Sequence, residues 1–200
     1  MRKLTPAQYK KAVVIVHGKS EHYLASYIYT NLHLPVVIVG RNSGRSSIQI
    51  NGLKSFLSSR PYNNLKTFAD TYSVEYDKKE KKLKNFRLFI IMDTDDCSEK
   101  TKEDYISGRL FENSRLKDYI VPIFNSPNLE DVMMKAGIMT KRISDSQKGS
   151  YYSKIFPINH DPVTNDTLDQ IRLLSNKLAN VKETNLLEYV NYCLSLIDQV

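Results

Sequence analysis

Three acidic residues, Asp93, Asp95 and Asp96, stand where a dense apolar segment of the sequence ends. That segment, residues 86–92, is rich in Phe, Leu and Ile, which is typical of a strand buried on both faces. Carboxylates that cluster where a buried strand ends repel one another, and this lowers stability unless a cation lies between them. Because no cysteine or histidine cluster accompanies them, Mg²⁺ or Mn²⁺ suits these hard oxygen ligands better than Zn²⁺. The sequence therefore predicts a metal site at the three aspartates, with a simple loop or helix-cap role as the alternative.

A second group of polar residues follows a β-branched segment at residues 12–16, which predicts the first strand of the core. This group consists of His17, Gly18, Lys19, Ser20 and Glu21. Ser20 is a candidate helix N-cap, and Glu21 would complement the helix dipole even without a further role. Glu21 could instead ligate a metal, and His17 could be a ligand, a proton shuttle or a polar residue at a strand end. Lys19 could neutralise a phosphate or remain solvated.

A third group lies at a predicted helix start after a strand at residues 119–124. Ser126 can cap this helix, and Pro127 suits its first position. Glu130 would complement the dipole there, and it is also a candidate catalytic residue or further metal ligand. Pro122, within the strand, predicts an edge or irregular position because proline cannot donate a hydrogen bond to a neighbouring strand.

Two stretches rich in basic residues are predicted to be exposed loops. Residues 40–47 hold Arg41 and Arg45 together with two glycines. Small residues let a phosphate approach the backbone and arginine can bind it bidentately, so this stretch is a candidate phosphate-binding loop, with a solvated loop as the alternative. The lysine-rich residues 77–84 predict an exposed hairpin tip or a flexible loop, and only secondarily a nucleic-acid contact.

The apolar segments alternate with helical patterns, and this alternation predicts an α/β fold. The order strand, helix, strand over residues 12–39 predicts a parallel pair with a right-handed crossover. In such sheets the loops after the strands lie at one edge, so the three polar groups are expected to meet there. Residues 140–153 predict a mobile loop. We therefore expect a mainly parallel sheet flanked by helices within residues 1–162, and a C-terminal helical pair within residues 163–200 that covers the sheet or, alternatively, forms a dimer interface.

The composition is that of a basic globular protein. A net charge of +7 over 200 residues, with a pI of about 9.2, favours a polyanion such as DNA or RNA as a partner. No apolar run approaches the roughly 18 residues of a membrane span, and no apolar region of a signal peptide follows the N-terminus. The two cysteines, Cys97 and Cys193, do not suggest a disulfide framework. These features predict a cytoplasmic protein with no membrane partner.

The order of the three polar groups resembles that of the topoisomerase–primase (Toprim) domain, and is most similar to RloB-like proteins, which are associated with OLD-type nucleases of phage defence. The Toprim Asp-x-Asp motif corresponds to residues 93–95. The RloB-like motif Glu-Gly-x-x-Thr-Glu, followed by an aromatic residue, corresponds to residues 17–23, and the Ser/Asn-Pro-x-Phe-Glu helix start to residues 125–130. The resemblance covers about residues 13–134, and it implies a Toprim-like α/β fold with Mg²⁺- or Mn²⁺-dependent nuclease activity.

One departure from this family pattern matters most for function. The Toprim glutamate is expected immediately before Gly18, where this chain has His17. That glutamate is credited in the family with acid–base work or with helping to hold the metal. Glu21 could take its place, His17 could transfer protons itself, or the site could bind metal and nucleic acid without cutting.

Three hypotheses for function follow. The first is metal-dependent hydrolysis of nucleic acid in phage defence, with Asp93 and Asp95 as metal ligands and Asp96, Glu21 or Glu130 completing the shell. His17 or Glu21 would then transfer protons, while Lys19, Arg41 and Arg45 would bind phosphates. The second is an inactive Toprim-like module that binds nucleic acid or regulates. The third is an interaction subunit that uses the C-terminal helices, with a homo-oligomer or a defence-system protein as its partner.

Overall fold

The computed structural model of this protein describes residues 9–41 and 46–197, apart from the side chain of Asp145. Its strands and helices follow in the order β1 (Ala12–Val16), α1 (Lys19–Asn31), β2 (Val36–Val39), α2 (Leu53–Ser58), α3 (Leu65–Tyr72), β3 (Tyr76–Asp77), β4 (Lys82–Leu83), β5 (Arg87–Asp93), α4 (Glu99–Ile106), β6 (Ile120–Asn125), α5 (Leu129–Lys135), α6 (Asp145–Ile155), α7 (Asn165–Leu178) and α8 (Leu186–Ile197). Four strands form one sheet in the order β2-β1-β5-β6, and every neighbouring pair is parallel. The predicted α/β fold with a parallel sheet flanked by helices is therefore confirmed, and this arrangement is consistent with a Toprim-like fold.

The sheet is buried on both faces because successive side chains of a strand point to opposite sides. In β1, Val14 and Val16 belong to one apolar cluster, whereas Val13 and Ile15 belong to the other. Every residue of β1 is fully buried. The first cluster includes residues of α1, α5, α6, α7 and α8, and the second includes residues of α2, α3 and α4. The apolar density of the strands therefore reflects two layers of helices.

The C-terminal helices cover one face of the sheet. Tyr189 of α8 packs edge-on against Phe89 of β5, with 5.2 Å between the ring centroids. The hydroxyl of Tyr192 donates a hydrogen bond of 2.8 Å to the backbone oxygen of Lys11, just before β1. No helix among the described residues is long and apolar enough to cross a membrane. The predicted division of the chain at residue 162 stays a prediction.

Strand β6 lies at the edge of the sheet, and Pro122 is therefore at an edge position as predicted. The segment between α7 and α8 runs beside the end of this strand. Asn125 forms an antiparallel bridge with Thr184, and the backbone N–H of Ser126 donates to the oxygen of Glu183 at 2.8 Å. The segment between α7 and α8 thus pairs with the end of β6, directly before the third polar group.

Two predicted helix starts are each wrong by two residues. Helix α1 begins at Lys19 with Gly18 as its N-cap, so Ser20 lies inside the first turn. Helix α5 begins at Leu129 with Asn128 as its N-cap, because the Asn128 side chain accepts a hydrogen bond from the N–H of Asp131. The predicted cap Ser126 and the proline after it lie in the turn before this helix.

The predicted mobile loop at residues 140–153 is wrong, because most of it belongs to α6. The helix packs through aromatic residues that the polar composition of the segment conceals. Tyr152 is fully buried and stacks on Tyr23 of α1, with 6.1 Å between the ring centroids. Of the two predictions for the lysine-rich residues 77–84, a hairpin tip or a flexible loop, the hairpin is confirmed. These residues belong to the antiparallel hairpin β3–β4.

Candidate functional site

A cleft of about 460 Å³ lies at the edge of the sheet where β1, β5 and β6 end. We call it the carboxylate cleft, and it is lined by His17, Gly18, Lys19, Ser20, Glu21, Ser47, Asp93, Asp95, Asn128, Glu130 and Lys148. Because the three strands are neighbours and parallel, their polar ends meet at one edge. The structure therefore brings together all three predicted groups.

Glu21 is a buried acid of the cleft, with a relative exposure of 1%. Its Oε2 accepts a hydrogen bond of 2.9 Å from the backbone N–H of Gly18, which closes the first turn of α1. Its Oε1 is shielded from solvent and has no hydrogen-bond partner among the described residues. Burial raises the pKa of Glu21, and the charge of Glu130 raises it further, while the hydrogen bonds and His17 oppose the shift.

Asp93 is half-buried at the end of β5, and one of its oxygens is held in place. Oδ1 accepts hydrogen bonds from the backbone N–H of Leu129 at 3.0 Å and from the side-chain amide of Asn125 at 3.2 Å. Burial raises the pKa of Asp93 well above its ordinary value, and the neighbouring carboxylates of Glu21 and Asp95 add to the shift. Helix α1 and the end of strand β5 thus bring together carboxylates that destabilise each other's charged form.

Asp95 is the exposed member of the Asp-x-Asp pair. Its Oδ2 accepts a hydrogen bond of 3.3 Å from the side-chain amide of Asn128, whose oxygen at the same time caps α5. Asn128 therefore ties the orientation of Asp95 to the start of the third polar group. Sequence reasoning missed this residue, although an asparagine directly before Leu-Glu-Asp is a recognisable cap signal.

Asp96 does not line the carboxylate cleft. Both of its carboxylate oxygens are shielded from solvent and lack hydrogen-bond partners among the described residues, as does Nδ1 of His17. Burial raises the pKa of Asp96, the charge of His17 opposes this shift, and that of Asp95 adds to it. The charges of His17 and Asp95 thus act on the pKa of Asp96 in opposite directions. The role of Asp96 as a metal ligand stays a prediction.

Glu130 is held by a lysine that sequence reasoning did not assign to the site. Nζ of Lys148, on α6, lies 2.8 Å from Oε1 of Glu130, and the hydroxyl of Ser20 approaches the same oxygen at 3.4 Å. Both members of the ion pair are largely buried. Lys148 was missed because its segment was predicted to be a loop, whereas the aromatic and aliphatic residues at Tyr152 and Ile155 were the available helical signal.

The predicted phosphate-binding residues fall into three different situations. Lys19 lines the cleft, and its Nζ lies beside α6, where a Cβ built on Gly149 would be only 3.1 Å away. Arg41 is exposed and does not line the cleft. Arg45 lies outside the described residues, so the prediction for it is not examined by the structure.

No comparison with known proteins finds a match. A scan against family models, a search of curated proteins and a search of solved structures each return none for this chain. The Toprim resemblance therefore depends on the three sequence motifs alone.

The donor set of the cleft suits a magnesium-type cation. Within residues 9–41 and 46–197 no group of three or more His, Cys, Asp and Glu side chains is arranged so that it could hold a metal ion. Mg²⁺, however, is usually held by one or two carboxylates together with water and substrate phosphates. Glu21 and Asp93 offer such carboxylates, and no described residue donates a hydrogen bond to the shielded Oε1 of Glu21. The residues present therefore fit Mg²⁺ or Mn²⁺ better than a metal that requires a complete protein cage.

Proposed function

We propose that this protein hydrolyses phosphodiester bonds of DNA or RNA with the help of Mg²⁺ or Mn²⁺. The observation that supports this most directly is the convergence on one cleft of Glu21, from the first turn of α1, and Asp93, from the end of β5. Each of these acids carries a raised pKa, to which burial contributes most. Such an arrangement is costly in an empty site and is stabilised when a cation neutralises it. A role in phage defence belongs to the same proposal, and only the resemblance to RloB-like proteins supports it.

Each residue of the cleft has a role in this proposal. Asp93 and Asp95 hold the cation, and Glu21 takes the place of the acid that the family pattern expects at His17. When bound, the metal polarises a phosphoryl oxygen and makes water a stronger nucleophile. Lys19 and Lys148 bind the phosphate as positive point charges.

Proton transfer falls to His17 in this scheme. Its Nδ1 is shielded from solvent and has no hydrogen-bond partner among the described residues, and an imidazole can both accept and donate a proton. Glu130 does not need to ligate the metal, because it already neutralises Lys148. The glutamate thereby orients a lysine toward the cleft.

A second candidate function is supported by the same ion pair. Lys148 supplies a positive charge to the acidic cleft from within the protein, so the site is partly neutralised without a metal. Together with His17 in place of an acid, this favours an inactive module that binds nucleic acid. The two functions differ in whether any bond is cut.

The first test compares cleavage by the wild-type protein, Asp93→Asn and Asp70→Asn. Asp70 is exposed on α3 and serves as a control with the same change of charge. Labelled DNA and RNA are incubated with each protein and Mn²⁺, and we expect cleavage that falls by at least about a hundredfold in Asp93→Asn and persists in Asp70→Asn. Equal cleavage by all three proteins would contradict the proposed site. Binding of nucleic acid without Mn²⁺ and without any cutting would favour the inactive module.

A further inference from the structure

Two adjoining clefts lie away from the carboxylate cleft. Their volumes are about 340 Å³ and 470 Å³, and both are lined by Asn63 and Arg115. Lys54 lines the first cleft, and Lys66 and Lys81 line the second. Since the two clefts share two lining residues, they adjoin, and we call the two together the basic groove.

The charge of the basic groove is positive and unbalanced. No acidic side chain of the described chain lines either cleft. None of its four cations, Lys54, Lys66, Lys81 and Arg115, forms an ion pair with a described residue, and all four are exposed. Several other basic residues, such as Lys135 and Arg142, are paired with acids. The four cations of the groove therefore carry positive charge that no described acid neutralises through an ion pair.

These cations come from four separate parts of the chain, of which Arg115 occupies the segment between α4 and β6. Lys54 lies on α2 and Lys66 on α3, whose N-cap Asn64 accepts a hydrogen bond from the N–H of Thr67. Lys81 lies in the turn of the β3–β4 hairpin. The hydroxyl of Tyr119 accepts a hydrogen bond of 2.9 Å from the N–H of Leu83 and so anchors that hairpin. The groove is consequently preformed.

We propose that the basic groove binds the phosphate backbone of nucleic acid. Exposed lysine and arginine with amide and hydroxyl neighbours, here Asn63 and Ser114, are the groups that contact phosphate and sugar. A membrane surface fits less well, because the apolar lining residues Leu57 and Phe111 are buried, and Leu65, Tyr76 and Leu110 are only partly exposed, so little apolar surface can insert between lipids. The groove does not share any lining residue with the carboxylate cleft, so this inference does not depend on hydrolysis.

The test measures binding of a fluorescein-labelled DNA duplex by anisotropy in EDTA, where no metal-dependent cleavage occurs. The test variant is Lys66→Ala/Arg115→Ala, and the control is Lys154→Ala/Lys182→Ala, which removes the same charge from exposed positions outside the groove. Each neutralised phosphate contributes about 0.9 to the slope of log affinity against log salt. We expect the test variant to bind at least about tenfold more weakly at about 50 mM salt, with a slope smaller by about two. The control should bind like wild type.

Every other outcome contradicts the inference. Equal losses in both variants would mean that binding follows net charge rather than the groove. Absence of binding by the wild-type protein would exclude a nucleic-acid site, and so would selective binding to phosphatidylserine vesicles that depends on Lys66 and Arg115. A second pair, Lys54→Ala/Lys81→Ala, repeats the measurement if the first variant does not fold, as judged by circular dichroism. If the groove variants bind DNA like the control while Asp93-dependent cleavage persists, the groove is not a nucleic-acid site and the proposed function is unaffected.

Discussion

Glu21 lies in the first turn of α1, just after β1, and Asp93 ends the neighbouring strand β5, so both side chains line the carboxylate cleft. Proximity and burial together make the doubly ionised state unfavourable, because each carboxylate raises the free energy of the other and water screens them poorly. The hydrogen bonds to Gly18 and Leu129 offset only part of this cost. In the metal-free protein these two residues therefore reduce stability at neutral pH.

The direction of the pH dependence follows from the raised pKa values of both acids. The folded protein keeps their protons at a pH where the unfolded chain has released them, so the free energy of unfolding falls as pH rises through the folded pKa values. Below the unfolded values, near 4.5 for Glu21 and 3.8 for Asp93, the favourable contribution is complete. We expect Glu21→Gln to raise the Tm of the metal-free protein at pH 8 and to change it little at pH 4.

Thermal unfolding in EDTA across this pH range checks the prediction, with Glu112→Gln as a control at an exposed glutamate. Added Mn²⁺ should reverse the order. A site occupied at about a hundred times its Kd stabilises the wild-type protein by about 2.7 kcal/mol, and Glu21→Gln should gain less. A Glu21→Gln variant that is destabilised equally at every pH would contradict the electrostatic explanation.

The position of Asp93 and Asp95 in the carboxylate cleft could be predicted from sequence, because the evidence for it is local. Their position at the end of an apolar strand is visible without any tertiary contact. The burial of Glu21 was not predictable in this way, since an acid in the first turn of a helix is usually exposed. Its environment depends on Asp93, which lies far along the chain, and on Glu130, which lies farther still.

The contacts of Asn125 were likewise not predictable from sequence, because they depend on how distant elements pack. It is fully buried at the end of β6, where its side-chain N–H donates to Asp93 and its side-chain oxygen accepts from the hydroxyl of Thr184. The sequence predicts the strand, but it does not show that the segment between α7 and α8 returns to this strand end. The contact depends on the packing of two helices.

Helix α6 was wrongly predicted to be a mobile loop, and this error concealed a lysine of the carboxylate cleft. Its polar residues resemble a loop, and only one side is apolar, where Tyr152 and Phe156, which ends the helix, pack on α1 through Tyr23 and Tyr27. This docking places Lys148 in the carboxylate cleft. The absence of a side chain at Gly149 allows Lys19 to lie against the helix.

The position of α6 predicts that substitutions at the two members of its ion pair change oligonucleotide affinity in opposite directions. If Lys148 binds the phosphate and Glu130 only holds it, Lys148→Ala should weaken binding of an oligonucleotide by about three- to tenfold. Glu130→Gln should strengthen binding, because it removes a negative charge that lies beside Lys148 and repels phosphate. Anisotropy titrations of an oligonucleotide in EDTA measure both changes, with Lys154→Ala on the same helix as the control.

A purely structural ion pair would give a different result. Both variants would then lower the Tm by similar amounts and alter binding by less than about twofold, as surface charges with no role in the site do. Losses of equal size in Lys148→Ala and Lys154→Ala would also exclude a specific phosphate contact. Melting temperatures recorded for the same samples separate these results from misfolding.

At the scale of the whole molecule, the question is whether residues 163–200 unfold with the rest of the chain. Residues of α7 and α8 share one apolar cluster with β1, β5 and α1. Tyr189 is fully buried within it and contacts Phe89 of the sheet. Elements that share a core lose their stability together, so we expect one cooperative transition rather than two.

The variant Tyr189→Ala tests this expectation, since truncation of a large buried aromatic residue costs about 3–5 kcal/mol. In urea unfolding, the transitions monitored by far-UV and near-UV circular dichroism should coincide and shift together to lower urea. Leu173→Ala, at a residue of α7 that is 55% exposed, is the control and should change the free energy of unfolding by less than about 0.5 kcal/mol. A separate C-terminal domain would instead give two transitions, of which Tyr189→Ala shifts only one. The shared core favours the single transition, because removal of α8 would expose the face of β5 that delivers Asp93 to the carboxylate cleft.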